Sequence, residues 1–298
     1  MNEKEKEDWI KAGRIAAIAR DYGASLIKKG ANVREILDKV ESKIISEGAV
    51  PAFPAQISLN ETAAHFCPSL DEDVILNDEI IKLDVGTMVN GAIGDTAITV
   101  DLSGNYEDLL KASREAFEAA FRLIRPGAKL GDIGRAIEST IKSYGFSSIR
   151  NLSGHTIKKY ELHAFPSIPN YDNEDELQLE EGQVIAIEPF ATTGVGRVIE
   201  RGQASIFVAI NLKPVRNPIT RKIIDEIKSY NNMPFTTRWI ERKFSKGMSN
   251  IALSELLRNN MLEEFKPLVE QSNGLVSQYE HTILVLDKPV ILTLTQNL

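Results

Sequence analysis

Two stretches of this 298-residue chain repeat each other at an offset of 97 positions, which restricts it to folds built from two like units. Leu26, Ile27, Gly30, Ala31, Ile36, Glu41, Ser42, Ile44, Ser46 and Gly48 recur without a gap as Leu123, Ile124, Gly127, Ala128, Ile133, Glu138, Ser139, Ile141, Ser143 and Gly145. Each copy reads as two helices with a break between them. Residues 7–29 carry Trp9, Ile10, Ile15, Ile18, Leu26 and Ile27 at near-helical spacing, and Gly30 is placed to end that helix. The next helix opens at Asn32 with Glu35 three places on, a capping-box pattern, and runs to about Ser46. In the second copy, 107–124 and 131–144 are the helices and Pro126-Gly127 the break.

Strand-rich segments follow each pair: 50–66 and 80–100 in the first half, 149–168 and 183–192 in the second, with a last β segment at 278–295. The expectation is an α+β body of two similar halves about a pseudo-twofold axis, with a site in the cleft between them. Residues 211–272 differ in character, with helices expected near 219–230, 236–244, 250–258 and 261–270. They hold 11 Lys and Arg against 7 Asp and Glu, a balance of +4, against −11 for the rest of a chain of net charge −7. This stretch reads as a helical subdomain inserted into a body made of 1–210 and 273–298.

Within the first half, IIKLDVGTMVNGAIGDTAITV (80–100) reads as a β-hairpin about Asn90-Gly91, a pair suited to a two-residue type I′ turn. That turn pairs Val89 with Ala92, sets Gly86 opposite Asp95 and sets Asp84 opposite Ala97. Side chains alternate along a strand, so Asp84 and Asp95 share a face one diagonal step apart, roughly 7 Å between backbones. Gly86 opposite Asp95 leaves the space between them unfilled. Two like charges on a half-buried strand require a cation, a shared proton or open water. A hairpin with a wet face bearing Lys82, Asp84, Asp95 and Thr99 is the plainer alternative.

Composition narrows the partners. With 43 % hydrophobic and 26 % charged residues the chain has the make-up of a globular protein able to bury a sizeable core. A pI near 5.3 argues against a nucleic-acid-binding protein as a whole, and no DNA partner is expected. One cysteine, Cys67, allows no internal disulfide or Cys-rich zinc motif and suits a reducing cytosol. The opening MNEKEKEDW has no apolar signal core, and no run approaches the ~20 apolar residues of a membrane span. A cytoplasmic monomer is expected.

Two further acids sit inside apolar strand patterns, Glu188 in VIAIEPF and Glu280 in QYEHTILVL. Of the four histidines, His155 follows Gly154 in LSGHTI and His163 lies in YELHAFP. Alone, each acid reads as an edge-strand carboxylate and each histidine as a structural one. Together, two Asp, two Glu and one His make an oxygen-rich, one-imidazole set suited to a pair of divalent ions with bridging carboxylates. His281 alternates away from Glu280 and is expected to be structural; Cys67 lacks a partner base and is not expected to be a nucleophile.

The order Asp84, Asp95, His155, Glu188, Glu280, in KLDVG, GDTA, SGH, IEPF and QYEHTIL, resembles the methionine aminopeptidases of the pita-bread (creatinase/aminopeptidase) fold. The insert and AFP…SLNETAAH ahead of the hairpin make the chain similar to type 2, and the absence of a Lys-rich amino-terminal extension makes it look archaeal. The resemblance implies that Asp95 and Glu280 bridge two divalent ions (Co, Mn, Fe, Zn or Ni), that Asp84 completes one, and that His155 and Glu188 complete the other. It implies Glu188 as general base, His163 as stabiliser of the tetrahedral oxyanion, and His65 as a contact to the scissile amide or the penultimate residue. Phe53, Leu162 and Phe190 are the expected methionine pocket. Ile206 stands where eukaryotic relatives carry a histidine.

The implied reaction is removal of the amino-terminal methionine from nascent chains, with a small second residue preferred. The insert is expected to be a winged-helix-like cap whose positive face, with Arg238, Arg242 and Lys243, approaches ribosomal RNA. An Xaa-Pro dipeptidase of the same fold, or a non-catalytic RNA- or protein-binding relative, are the competing readings.

Overall fold

Both copies of the helix pair end on left-handed glycines, and the first copy also supplies side-chain caps at Asn2 and Asn32. In the computed structural model, which describes residues 1–295, α1 spans Glu3–Leu26, α2 Val33–Ser46, α3 Glu107–Phe121 and α4 Leu130–Ser143. Helix α1 begins a turn earlier than its apolar spacing implies, because Asn2 and Glu5 form a reciprocal capping box ahead of the first apolar residue. Asn32 caps α2 by accepting from the Glu35 N–H.

The repeat extends to individual bonds. Gly30 and Gly127 both hold φ at 83°, and Gly48 and Gly145 at 83° and 82°. Gly30 N–H donates to the Leu76 carbonyl at 2.7 Å and Gly127 N–H to the Leu179 carbonyl at 2.8 Å; Leu76 and Leu179 donate back to Ala31 and Ala128, both at 2.9 Å. The left-handed glycine in each copy turns the chain so that the incoming segment can bridge the two helices.

Both pairs pack on one curved nine-stranded sheet. Its main strands are β1 (Gln56–Leu59), β2 (Ile80–Val89), β3 (Ala92–Asp101), β4 (Ser153–Lys158), β5 (Glu161–Pro169) and β6 (Val184–Ile187). They run in the order β2, β3, the strand Glu280–Leu284, β6, β4, β5, with β1 also on β2. The β2–β3 register is the expected one, with Asn90 and Gly91 at φ 50° and 87° in the turn. Leu83, Val85 and Ile93 pack among α1 and α2 residues in one core, while Ile185, Ile187 and Ile283 pack with α3 and α4 in another. Gly94 allows close approach: a Cβ there would lie 2.6 Å from Gly13 Cα of α1. Helices therefore cover the outer face of the sheet and leave the inner face to line a cleft. This is the pita-bread fold.

The insert has its own core and is not wholly helical. Helices α5 (Pro218–Lys228), α6 (Thr237–Lys243) and α7 (Lys246–Arg258) pack on a three-stranded sheet of β7 (Ile206–Ala209), β8 (Phe235–Thr236) and β9 (Leu262–Phe265). Phe207, Ile223, Ile227, Phe235, Ile240 and Leu256 form its centre. The helix expected at 261–270 is absent; β9 pairs with β7, Pro267 breaks the run, and β10 (Leu268–Glu270) joins Val198–Glu200 and Thr62–Ala64 of the body. So β7, assigned to the body by a boundary at 211, belongs to the insert's sheet, and β10, assigned to the insert, belongs to the body. Of the body segment 273–298, residues 296–298 lie outside the described residues.

Of the three basic residues expected to face RNA, Arg238 is turned inward, while Arg242 and Lys243 stay exposed in surface ion pairs. Arg238 is fully buried, paired with Glu41 and Asp38 of α2. Arg242 pairs with Asp38, and Lys243 with Glu226 at 2.6 Å. Acids on α2 draw the Arg238 guanidinium inward, a long-range match that local charge counting does not register.

Replacing Gly30 or Gly127 by alanine should each cost about 1 kcal/mol, since an L-residue must adopt the left-handed region there. Asparagine should cost less. Urea unfolding midpoints of the four variants check this.

Candidate metal centre

Strand alternation alone collects the acids. Let β11 denote Glu280–Leu284. Asp84, Ala97 and Glu280 lie in one cross-strand row, and His155, Ala186 and Thr282 in another. Asp95 is two residues from Ala97, and Glu188 two residues past Ala186, so all five candidate ligands share the inner face. Ala97 and Ala186, small side chains between the acids, keep the floor open. The gap over Gly86 is filled, contrary to the sequence-based expectation: a Cβ on Gly86 would lie 2.1 Å from Phe53 Cε1, so the aromatic ring occupies that space. Thr282 fastens the floor, its hydroxyl accepting from the Asp95 N–H and donating to the Asp95 carbonyl, both at 2.8 Å.

All ten residues singled out from the sequence line one cavity of about 230 Å³: Asp84, Asp95, His155, Glu188, Glu280, His65, His163, Phe53, Leu162 and Phe190. Ile206 lines it too. One ligand atom each from Asp95, His155 and Glu280 lie within 4.8 Å of one another. His155 Nε2 is 3.6 Å from Asp95 Oδ2 and 3.8 Å from Glu188 Oε1.

The electrostatics call for a cation. Buried oxygens Asp84 Oδ1 and Asp95 Oδ1 have no hydrogen-bond partner. Burial raises the Asp84 carboxyl to about 7. Burial first, then the neighbouring acids, push Asp95, Glu188 and Glu280 well above the carboxylate range. Burial, reinforced by His163, holds His155 down at about 3, leaving it a neutral imidazole able to donate a lone pair. Four oxygen donors and one imidazole, partly unsatisfied and reluctant to ionise together, fit divalent cation binding.

The other histidines flank this centre. The His163 ring opens to the cleft and meets His155 edge-on at 4.5 Å, and its desolvated surroundings lower its pKa. His65 sits at φ 65°, its N–H donating to Gln56 Oε1 at 2.8 Å, and burial holds it down at about 4. His281 lies on the outer face, as expected, against Phe117 and Tyr279 at 5.0 Å with Nδ1 2.8 Å from Thr293 Oγ1. Cys67 is buried and its thiol is pushed up by that burial.

Two residues were missed in the sequence. Gln278 donates to Glu188 Oε2 at 3.3 Å and Glu280 Oε2 at 3.5 Å, tying the two glutamates together. Its position two before Glu280, in a run that reads as extended, was the signal. Gln56 lies opposite Asp84 and holds the His65 backbone, which no local pattern reveals.

Comparison with known proteins agrees with this geometry. The model for metallopeptidase family M24 matches residues 7–214. The chain is 44 % identical over 295 residues to the methionine aminopeptidase of Archaeoglobus fulgidus, covering 98 % of this chain and 99 % of that protein. A solved methionine aminopeptidase from Thermotoga maritima superposes with a TM-score of 0.72 at 25 % identity, covering 99 % of this chain and 98 % of the other. A thermophilic Arx1 structure shares the fold with a TM-score of 0.86 at 18 % identity, covering 98 % of this chain and 91 % of the other.

Asp84 is raised above its unfolded value, so its contribution to stability is present at acid pH and lost as pH rises through about 7. A cation favours the ionised form and reverses that sign. Calorimetric titration of Mn²⁺ into metal-free protein should therefore show proton release and at least about tenfold weaker binding at pH 5.5 than at pH 7.5. Binding independent of pH would contradict the raised carboxyls.

Proposed function

This chain belongs to metallopeptidase family M24, and we infer that it is a metal-dependent aminopeptidase removing the amino-terminal methionine of polypeptides. The observation that carries this reading is the ordered set Asp84, Asp95, His155, Glu188 and Glu280 lining one cavity, in a chain matching a methionine aminopeptidase from end to end.

We assign Asp84, Asp95, His155, Glu188 and Glu280 as the residues that would hold two divalent ions from among Co, Mn, Fe, Zn and Ni, with Asp95 and Glu280 the acids that would serve both. When bound, such ions lower the pKa of water so that a nucleophile is available at neutral pH. Glu188 accepts the proton of the attacking water and returns it to the leaving amine, with Gln278 orienting its carboxylate. His163, neutral because its surroundings are desolvated, donates an N–H to the scissile carbonyl oxygen as negative charge develops there. Asp84 receives the substrate's α-amino group, which confines cleavage to the first residue. Phe53, Leu162, Phe190 and Ile206 receive the methionine side chain through apolar and sulfur–aromatic contact. His65 meets the scissile amide or the penultimate residue, where a small side chain is preferred.

The non-catalytic binder is not favoured, since every acid, the ligating imidazole and both flanking histidines are retained around the cavity, and the Xaa-Pro dipeptidase is not favoured, since the chain matches a methionine aminopeptidase from end to end. Among the described residues no helix is long and apolar enough to cross a membrane, and we propose a cytosolic monomer acting on nascent chains. Any ribosome contact is assigned to the exposed Lys213, Arg216, Arg221 and Lys222 of the insert.

With Mn²⁺ or Co²⁺, the protein should release methionine from a Met-Ala-Ser peptide, and a chelator should abolish release. Glu188→Gln should lower kcat about a thousandfold with little change in KM. Retained activity in Glu188→Gln, or a preference for Xaa-Pro substrates, would sink the assignment.

A further inference from the structure

The insert lines the cavity with Ile206, Pro234 and Phe265, and there it also meets a residue of the body, His65. The His65 ring stands edge-on to Phe265 of β9, with centroids 5.4 Å apart. Two residues on, the Cys67 carbonyl accepts from Ser205 Oγ at 2.5 Å, and Cys67 Sγ lies 3.7 Å from Thr236 Oγ1 and 3.8 Å from Arg238 Nη2. The segment from His65 to Cys67 is thus held between Gln56 on the body side and insert residues on the other.

Arg238 joins these parts. Its buried guanidinium forms a bidentate pair with Glu41 of α2, Nη1–Oε2 at 3.0 Å and Nη2–Oε1 at 2.6 Å, and also pairs with Asp38. The neighbouring Trp239 Nε1 donates to Glu41 Oε2 at 2.9 Å. Glu41 and Glu138 are equivalent in the repeat, yet Glu138 is satisfied within its own half by Lys142, Arg150 and the Asp172 N–H. Only the first-half acid is given over to the insert.

We propose that Arg238 is a positioning residue for His65. By fixing the insert to α2 and to the Cys67 segment, it holds the Phe265 ring edge where it orients the His65 ring toward the peptide. The proposal rests on the reading of His65 as a substrate contact. His65 departs from relaxed backbone geometry, so its ring direction depends on such outside support.

A double-mutant cycle tests it. Arg238→Lys keeps the charge but loses the two-pronged geometry, and Phe265→Leu removes the ring edge while keeping an apolar side chain, so it serves if Arg238→Lys does not fold. Each should lower kcat/KM for Met-Ala-Ser about tenfold while leaving Mn²⁺ affinity, read by calorimetry, unchanged. In a His65→Ala background the same changes should lower it by less than about twofold further. Full, independent losses in that background, or an equal loss of Mn²⁺ affinity, would overturn the proposal. If His65→Ala alone leaves kcat/KM unchanged, the substrate-contact reading of His65 fails, and the positioning role falls with it.

Discussion

Four carboxyl groups turned to one face of a sheet repel each other and resist leaving water, and the architecture around them is arranged to hold them there. Desolvation is the largest influence on each, with mutual repulsion adding for Asp95, Glu188 and Glu280. Among the described residues no arginine or lysine pairs with them. The fold supplies hydrogen bonds to the backbone beneath, through Thr282 and Thr96, and a shared amide in Gln278, leaving carboxylate oxygens unpartnered toward the cavity. That arrangement is unfavourable alone and favourable with cations, as hydrolytic chemistry at neutral pH requires.

The duplication explains where this burden is carried. Each helix pair covers the outer face of its half, and the acids come from both halves: Asp84 and Asp95 from one hairpin, His155 and Glu188 from the other half, and Glu280 from the strand between. Neither half has the full set. The insert is an addition to one half only, seated on an acid whose counterpart is otherwise engaged.

Much of the fold and centre was legible in the sequence because local rules settle it. Asn90-Gly91 fixes the hairpin register, the register fixes the shared face of Asp84 and Asp95, and period-two alternation separates Glu280 from His281. What escaped depends on contacts between distant segments. Nothing near Gly86 announces that Phe53 fills its empty side, and nothing near Arg238 announces the acids of α2. The mistaken helix at 261–270 is different, since Pro267 inside that window was a local warning, overridden by reading a mixed apolar and charged run as helical.

The alternation of Ala97 and Ala186 with the acids makes the sheet a ruler. Distances between donors follow the spacing of hydrogen-bonded strands, roughly 4.8 Å apart, and not the conformation of any loop. Loops at the rim can therefore diverge to suit different peptides while the spacing of the reactive core keeps the stiffness of the backbone ladder beneath it.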